Sequence, residues 1–426
     1  MRILNISAQK PDSTGSGVFL AEMVRCMRRA GHDVAVVCGA APEDDPAASL
    51  VEGVLVRPVR FETDALPFPV CGMSDVMPYR STRYRDMTSQ MVDQFALAFG
   101  RTIAEVDAEF DPDLVICHHL YLLTAMVRRM LAHRAVCGIS HSTDLRQMVQ
   151  HDLEHDSIVG LVRQLDRIFA LHEDQAREIE RIFGVPRDLV TVIGTGFDAQ
   201  LFSPGDRWGA GVGATPSAGA DAGVGAAASG ASAVQPVEPR VLYVGKIGFA
   251  KGVESLLEAY DLLARRGVRC ALDLVGGHSD EGEYDRIVAR AQACAREPRF
   301  LGKVPTGELV ERYRASDVFV LPSFFEGLPL VIAEALACGC KVVTTDLPGI
   351  RSFYGRFLPD APIVYVEPPH MHDVDKPDPA DLPAFEARLA DAIERALALP
   401  AHQCDVSGLS WERLTDRVLA AAPTRE

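Results

Sequence analysis

Two glutamates, Glu326 and Glu334, stand in the apolar stretch PSFFEGLPLVIAEALACG and could bind hydroxyl groups. Pro329 suits the first turn of a helix, so the pattern predicts Glu326 in the preceding turn and Glu334 more than one turn inside the helix. A carboxylate among Leu, Val, Ile and Ala is costly unless it accepts hydrogen bonds, and the paired hydroxyls of a sugar or a ribose are suitable donors. The alternative interpretation makes Glu326 a helix cap and Glu334 a solvated surface residue.

The same turn offers backbone amides to an anion. N–H groups at the start of a helix lack partners within the helix and carry the positive end of its dipole. We therefore expect a diphosphate to bind beside the residues Gly327, Leu328, Pro329 and Leu330.

Two lysines, Lys246 and Lys251, flank a second turn in the stretch YVGKIGFAKGV. Lys246 follows a predicted buried strand and Lys251 begins the next helix, so their ammonium groups could converge on a pyrophosphate. Fixed cations stabilise the negative charge that grows on a departing nucleoside diphosphate. Paired acidic residues of the D-x-D type are not seen near this site, so no metal is expected. Solvated surface lysines are the alternative interpretation.

A third turn, QKPDSTGSGVFLAE, follows the first predicted strand and carries Gly15 and Gly17. Its glycines would allow a helix N-terminus to approach a phosphate or a sugar. The dinucleotide fingerprint requires a further glycine where Leu20 stands, which argues against a nicotinamide or flavin enzyme. A turn that merely connects strand and helix remains the alternative.

Strand-like apolar runs alternate with helical patterns along the chain, which favours α/β domains built on doubly wound parallel sheets. The predicted strands are 3–6, 34–37, 114–117, 135–139, 168–171, 241–244, 271–275, 318–321 and 341–344. The predicted helices are 17–30, 86–107, 120–133, 173–183, 251–266, 281–296, 306–315, 329–338, 382–397 and 410–421.

The alternation stops at a Gly-, Ala- and Ser-rich segment, which divides the chain into two predicted Rossmann-like domains. Too little apolar area is available there for an ordered core, so a flexible insertion is expected. The predicted divisions are residues 1–204, the insertion 205–239, residues 240–409, and a C-terminal helix and tail over 410–426.

The bulk composition narrows the class of partner. The chain has 426 residues and a formal net charge of -16, so a polyanion such as nucleic acid or an anionic membrane would be repelled at long range. Ten scattered cysteines without a C-x-x-C pair favour a reducing compartment. A strand-like start without a signal pattern, and the lack of a spanning apolar run, predict a cytoplasmic protein, with peripheral docking at the inner face of a membrane left open.

Taken together, these stretches resemble the family 4 glycosyltransferases, glycosyl transferases group 1, which have the GT-B architecture of two facing Rossmann-like domains. The resemblance extends over nearly the whole chain and rests on GSGVFLAEMVRCMRRAGHDVAVV, GISHSTD, VIGTGFDAQLFSP, YVGKIGFAKG, YRASDVFVLPSFFEGLPLVIAEALACG and SWERL. It implies that the C-terminal domain binds a nucleoside diphosphate sugar and that the N-terminal domain binds the acceptor.

Carried over by position, the resemblance implies a role for each residue of the site. Lys246 and Lys251 would hold the donor diphosphate, with Lys246 standing where the family usually has arginine, so the bidentate fork is lost there. Glu334 would bind the ribose hydroxyls, Glu326 the transferred sugar, and the loop at Gly17 would face the diphosphate.

The acceptor side is expected in the N-terminal domain. His141, in GISHSTD, matches the family histidine that contacts the donor sugar, which makes His141, Lys251 and Glu326 the expected catalytic residues. His118 and His119 end another predicted strand and could line the acceptor pocket. The irregular segment 64–85 is the expected source of specificity, and its residues Arg80, Arg83 and Arg85 could meet an anionic acceptor or form a solvated basic loop.

The resemblance implies a retaining, metal-independent transferase without a permanently bound cofactor. The acceptor would be a carbohydrate, a lipid-linked glycan or a small polyol, and the donor base and oligomeric state stay open. Two alternatives remain. A GT-B sugar-nucleotide epimerase would consume donor without an acceptor, and a catalytically silent protein would bind nucleotide sugar without turnover. A glycan phosphorylase is disfavoured because no motif for a lysine-bound pyridoxal phosphate is evident.

Overall fold

A computed structural model of the protein describes residues 1–11, 13–74, 77–205, 238–373, 376–400 and 403–423. Almost all of the insertion predicted at 205–239 lies outside these ranges. Within the described ranges, no helix combines the length and apolarity that crossing a bilayer requires.

The N-terminal domain is built on a seven-stranded parallel sheet with the order β3-β2-β1-β6-β7-β8-β9. Its strands are β1 (Arg2–Ser7), β2 (Asp33–Ala40), β3 (Leu55–Arg60), β6 (Leu114–His118), β7 (Val136–Ile139), β8 (Arg167–Ala170) and β9 (Val190–Val192), and a separate small pair is β4 (Cys71–Gly72) with β5 (Thr82–Arg83). Its helices are α1 (Gly15–Arg29), α2 (Ser89–Phe110), α3 (Leu122–Met130), α4 (Thr143–Gln150), α5 (His155–Val162) and α6 (Glu173–Phe183).

The C-terminal domain repeats this plan on a six-stranded parallel sheet with the order β12-β11-β10-β13-β14-β15. Its strands are β10 (Arg240–Val244), β11 (Ala271–Val275), β12 (Arg299–Gly302), β13 (Val318–Leu321), β14 (Lys341–Thr345) and β15 (Ile363–Val366), followed by the hairpin β16 (Met371–Asp373) and β17 (Lys376–Pro377). Its helices are α7 (Val253–Arg265), α8 (Glu281–Gln292), α9 (Thr306–Arg314), α10 (Leu330–Ala337), α11 (Ile350–Phe357) and α12 (Leu382–Ala398).

The two sheets share the strand order of a doubly wound Rossmann domain, which confirms the predicted fold class. Their central strands are buried on both faces, as in β1, where Ile3, Leu4 and Ile6 are fully covered. The predicted strands are all present. The strands that sequence analysis missed lie at or near sheet edges, and β3 shows why: Arg57 and Pro58 interrupt its apolar pattern, which an edge strand tolerates.

The last helix, α13 (Trp411–Ala421), returns to the N-terminal domain. Its Trp411 is 2% exposed and packs edge-on against Phe19 of α1, with the ring centroids 5.2 Å apart. Gly196 lies beneath the indole, where a Cβ atom would come within 2.3 Å of the Trp411 ring. The helix predicted at 410–421 therefore ties the end of the chain to the first domain.

Candidate active site

The strand order reverses between β1 and β6 in one sheet and between β10 and β13 in the other, and ligands bind outside the carboxyl ends of strands at such points. A cavity of about 460 Å³ lies there, between the domains. The N-terminal domain lines it with Gln9, the start of α1 at 14–16, Met73, Ser74, Met77 and His141. The C-terminal domain lines it with Lys251, Glu326 and the turn that leads into α10.

Lys251 and Glu326 form an ion pair in the wall of this cavity. The Lys251 Nζ lies 2.7 Å from Glu326 Oε1, and the Ser323 hydroxyl donates to the same oxygen at 2.7 Å. Solvent reaches 30% of the lysine side chain and 14% of the glutamate side chain. An ammonium group and a carboxylate are thus held side by side in the cavity wall, where the first could pair with an anion and the second could accept hydrogen bonds from hydroxyl groups.

A close approach of two loops positions this pair. Gly252 has a φ of 67°, and a Cβ atom there would come within 2.0 Å of the Pro322 carbonyl oxygen. Only glycine fits such a contact in the left-handed region. The Phe324 N–H also donates to the Ala250 carbonyl at 3.0 Å, so the turn after β10 and the turn after β13 form one unit.

The start of α10 is open to the cavity. Pro329 is its N-cap, with extended backbone and no side-chain cap, and Gly327, Leu328, Pro329 and Leu330 all line the cavity wall. Gly327 brings this turn against the N-terminal domain, since a Cβ atom there would lie 3.2 Å from the Ser142 hydroxyl. The amides at the start of α10 can therefore bind an anion within the cavity.

Glu334 lies one turn further along α10 and outside the described cavity lining. Its Oε2 accepts a hydrogen bond of 3.1 Å from the Tyr313 hydroxyl. Burial raises the pKa of Glu334 to about 7, and the bond from Tyr313 opposes that rise. Glu334 is therefore a half-buried carboxyl group with a hydrogen-bond donor in Tyr313.

His141 follows β7 and lines the cavity, as the sequence predicted for a strand-end residue. The fully buried Asp144 carboxylate holds this loop, because it accepts from the His141 N–H at 3.1 Å, the Leu120 N–H at 2.7 Å and the Ser140 hydroxyl at 3.1 Å. One side chain therefore joins the turns after β6 and β7. Ser142, with a φ of 71°, adopts a conformation that is strained for a residue other than glycine.

His118 and His119 lie behind His141 and do not belong to the described cavity lining, so the expectation that they line an acceptor pocket is corrected. They are 3% and 2% exposed. The His118 Nδ1 lies 3.2 Å from the His141 Nε2. Burial lowers the pKa of both residues to about 3, and burial with the neighbouring imidazoles lowers the pKa of His141 well below its usual value. A hydrogen bond between the two neutral imidazoles thus orients His141, with either ring as the donor.

Two predicted acceptor residues, Arg80 and Arg83, lie away from the described cavity lining. Arg80 is 77% exposed and bonds Glu62 at 2.6 Å, and Arg83 bonds Asp86 at 2.6 Å. Both arginines are paired on the surface. The segment 64–85 instead lines the cavity with Met73, Ser74 and Met77.

Gly17 and Lys246 also differ from their expected positions. Gly17 is buried inside the first turn of α1, where its N–H donates to the Thr14 hydroxyl at 3.1 Å. Gly15 and Ser16 line the cavity in its place. Lys246 is exposed beyond β10 and outside the described lining, and its backbone carbonyl accepts a hydrogen bond of 2.7 Å from the Tyr243 hydroxyl.

Sequence reasoning missed several cavity residues, chiefly Gln9, Ser16, Met73, Ser74 and Met77. Gln9 had a signal, since it follows β1 at the carboxyl end of a central strand. Met73 and Met77 had none beyond their place in the irregular segment. Among the described residues, no group of three or more His, Cys, Asp or Glu side chains could hold a metal ion.

Comparison with known proteins decides the family. Residues 13–201 match the family model described as Glycosyltransferase Family 4, and residues 229–357 match the model described as Glycosyl transferases group 1. The chain therefore belongs to the family 4 glycosyltransferases, glycosyl transferases group 1. The two matches fall on the two Rossmann-like domains, and the protein is a glycosyltransferase of GT-B architecture.

Curated relatives of this glycosyltransferase extend over most of both chains. D-inositol 3-phosphate glycosyltransferase 2 of Catenulispora acidiphila is 28% identical over 367 residues, which are 80% of this chain and 76% of the relative. D-inositol 3-phosphate glycosyltransferase of Kribbella flavida is 25% identical over 434 residues, which are 97% and 91% of the two chains.

Solved structures share the fold of this glycosyltransferase. Sucrose-phosphate synthase from Thermosynechococcus elongatus superposes with a TM-score of 0.63 at 18% identity, covering 99% of this chain and 98% of the other. Anabaena Alr3699/HepE, solved in complex with UDP, superposes with a TM-score of 0.61 at 15% identity, covering 99% of each chain.

Proposed function

We propose that the enzyme transfers a sugar from a nucleoside diphosphate sugar to an acceptor hydroxyl, with retention of the anomeric configuration. One observation carries the proposal: the start of α1, the start of α10 and the Lys251 side chain line the same cavity. Two helix N-termini and an ammonium group suit a diphosphate. The Anabaena protein of the same fold was solved with UDP, so uridine is the first base to test.

The reaction depends on stabilising the leaving group. The bond between the anomeric carbon and the diphosphate oxygen breaks, and its electron pair stays on the diphosphate. Lys251 and the amides before α10 stabilise that charge more in the transition state than in the bound donor. The acceptor oxygen attacks from the same face of the sugar, and its proton passes to the departing diphosphate, which accounts for retention.

The remaining side chains bind and orient the donor in this proposal. Glu326 accepts hydrogen bonds from hydroxyls of the transferred sugar after its contact with Lys251 is exchanged. Neutral His141, oriented by His118, contacts the same sugar. Glu334, oriented by Tyr313, accepts from the ribose hydroxyls when the domains close on the donor. Lys246 stays a prediction, since its side chain would have to turn towards the cavity.

A panel of uridine, guanosine and adenosine diphosphate sugars tests this function. The donor should raise the melting temperature, since a ligand at one hundred times its dissociation constant stabilises by about 2.7 kcal/mol. Product NMR should then show the anomeric configuration of the donor. An inverted product would refute retention, release of an epimerised sugar without acceptor would favour the epimerase, and tight binding without turnover would favour the silent binding protein.

The acceptor is a further part of the proposal. The curated relatives are named for D-inositol 3-phosphate, so a polyol is the first class to test. The acceptor would bind against Met73, Ser74 and Met77 of the N-terminal domain, which line the cavity opposite Glu326.

A further inference from the structure

The N-terminal wall of the cavity contains a buried amide with an unused donor. Gln9 is 2% exposed and lines the cavity. Its Oε1 accepts from the Ser16 hydroxyl at 3.1 Å, whereas its Nε2 has no hydrogen-bond partner among the described residues. A buried N–H group without a partner is costly, so this amide is expected to find an acceptor oxygen when the cavity is filled.

The side chains hydrogen-bonded to Gln9, directly or through Ser16, are polar but uncharged. The Ser16 hydroxyl also lies 3.0 Å from the Thr14 hydroxyl, which extends the network to the cap of α1. Met73, Ser74 and Met77 complete this part of the wall. In the sequence, positions 12, 75 and 76 carry Asp, Asp and Val, none of which is cationic.

Three basic residues close in sequence, Lys10, Arg80 and Arg83, are committed elsewhere. Lys10, next to Gln9, pairs with Asp44 at 2.7 Å and lies over the Tyr79 ring at 4.8 Å from its centroid. Arg80 and Arg83 are paired on the surface. Lys251 lies on the opposite wall and, with the starts of α1 and α10, is required by the donor diphosphate. A second phosphate at the N-terminal wall would be desolvated without a cation of its own.

We propose that the acceptor is an uncharged polyhydroxyl compound, one of whose oxygens accepts a hydrogen bond from Gln9 Nε2 while its apolar face packs on Met73 and Met77. The proposal rests on the glycosyl transfer proposed above and names its acceptor class. Gln9 is then a specificity-determining residue, and discrimination against phosphorylated acceptors follows because the described N-terminal lining of the cavity includes no Lys or Arg side chain.

Matched acceptor pairs test the class directly. The purified full-length enzyme, with the donor found in the panel, is assayed on myo-inositol against D-inositol 3-phosphate and on glucose against glucose 6-phosphate. The expected result is a kcat/KM at least about tenfold higher for the neutral member of each pair, because the phosphate of the other member would be buried without a partner, which is strongly disfavoured. Preference for a phosphorylated member, or use of no neutral acceptor, would overturn the proposal.

The same experiment separates this proposal from the proposed function. Nucleotide binding and slow hydrolysis of the donor by water need no acceptor, so both should persist if only the acceptor class is wrong. Their loss would instead refute donor use.

Variants of Gln9 test its role in acceptor binding. Gln9→Leu should raise the KM for the neutral acceptor about tenfold, with the nucleotide dissociation constant and the melting temperature near those of the wild type. Gln9→Asn, which keeps an amide on a shorter stem, should recover part of the affinity and serves if the leucine variant fails to fold. Unchanged acceptor KM in a folded Gln9→Leu enzyme would refute the role of Gln9.

Met77→Lys adds a cation at a partly exposed position of the wall. It should shift the ratio of kcat/KM values towards phosphorylated acceptors, because the new ammonium group can pair with phosphate. Met77→Leu is the matched control, which alters shape without charge and should keep the preference for neutral acceptors. An equal shift in both variants would attribute selectivity to shape and contradict the charge argument.

Discussion

Replacing Lys251 by methionine keeps the length of the side chain and removes its charge. In the ligand-free enzyme the Lys251 Nζ lies 2.7 Å from Glu326 Oε1, and both groups line the cavity. The variant therefore removes the cation that, in the proposed function, faces the departing diphosphate, and it leaves the Glu326 carboxylate without its ion-pair partner. The lost cation and the unpaired carboxylate would each raise the activation barrier of glycosyl transfer, so their effects have to be separated.

The size of the effect follows from distance and exposure. Unit charges about 4 Å apart interact by about 4 kcal/mol at an effective dielectric constant of about 20. Solvent reaches 30% of the Lys251 side chain, so screening leaves about half of this energy. About 2 kcal/mol corresponds to a decrease in kcat of roughly 30-fold.

Steady-state release of nucleoside diphosphate and isothermal titration with the nucleotide measure kcat and donor affinity separately. Lys251→Met should lower kcat more than Glu334→Ala, whose main effect should be a higher donor KM. The double variant Lys251→Met/Glu326→Gln removes the unpaired carboxylate. If the double variant recovered wild-type kcat, or if Lys251→Met kept wild-type turnover with unchanged donor binding, Lys251 would not be the group that stabilises the leaving diphosphate.

Three further predictions concern the residues behind the cavity. Because burial raises the folded-state pKa of Glu334 to about 7, its carboxylate forms as the pH rises from 6 to 8, and nucleotide affinity should increase by about tenfold over that window in the wild type. In Glu334→Gln this pH dependence of nucleotide affinity should disappear, and only the part caused by ionisation of the nucleotide should remain. Because the pKa is raised in the folded state, Glu334 also lowers the free energy of unfolding as the pH rises from the ordinary pKa of a glutamate towards 7. His118→Phe should lower kcat by roughly tenfold without changing nucleotide affinity, since His141 loses the ring that orients it, and recovery of kcat in His118→Asn would support orientation over packing. Asp144→Ala should lower the free energy of unfolding by about 3 kcal/mol in urea denaturation, because three donors lose their acceptor, and a change below about 1 kcal/mol would contradict its structural role.

Local sequence patterns predicted which C-terminal turns line the cavity. Glu326, Gly327, Pro329 and Leu330 occupy one continuous stretch, and the strand-to-helix turn that displays them depends on nearby residues alone. Lys251 could be predicted as well, because it follows a strongly apolar strand. Parallel strands with their carboxyl ends at one edge then bring the two turns together.

The N-terminal side was harder to predict. Arg80 and Arg83 looked suited to an anionic acceptor, but each pairs with a carboxylate on the surface. The sequence could not show the partner of Arg80, because Glu62 lies in a different loop and only the fold brings the two side chains together. Met73 and Met77 reach the cavity instead, and a methionine in an irregular segment carries no periodic signal of its position.

Alternating apolar runs and glycine turns were sufficient to predict two doubly wound domains and the C-terminal turns that line the cavity, because those features depend on residues close together in the chain. Tertiary structure decided the rest: the pairing of Lys251 with Glu326, the histidine behind His141, and the unused amide of Gln9 opposite the donor turns. Each of these depends on strand order and on the approach of two domains. Contacts between distant loops leave no period in the sequence, so only the folded chain shows which polar groups are paired and which remain available.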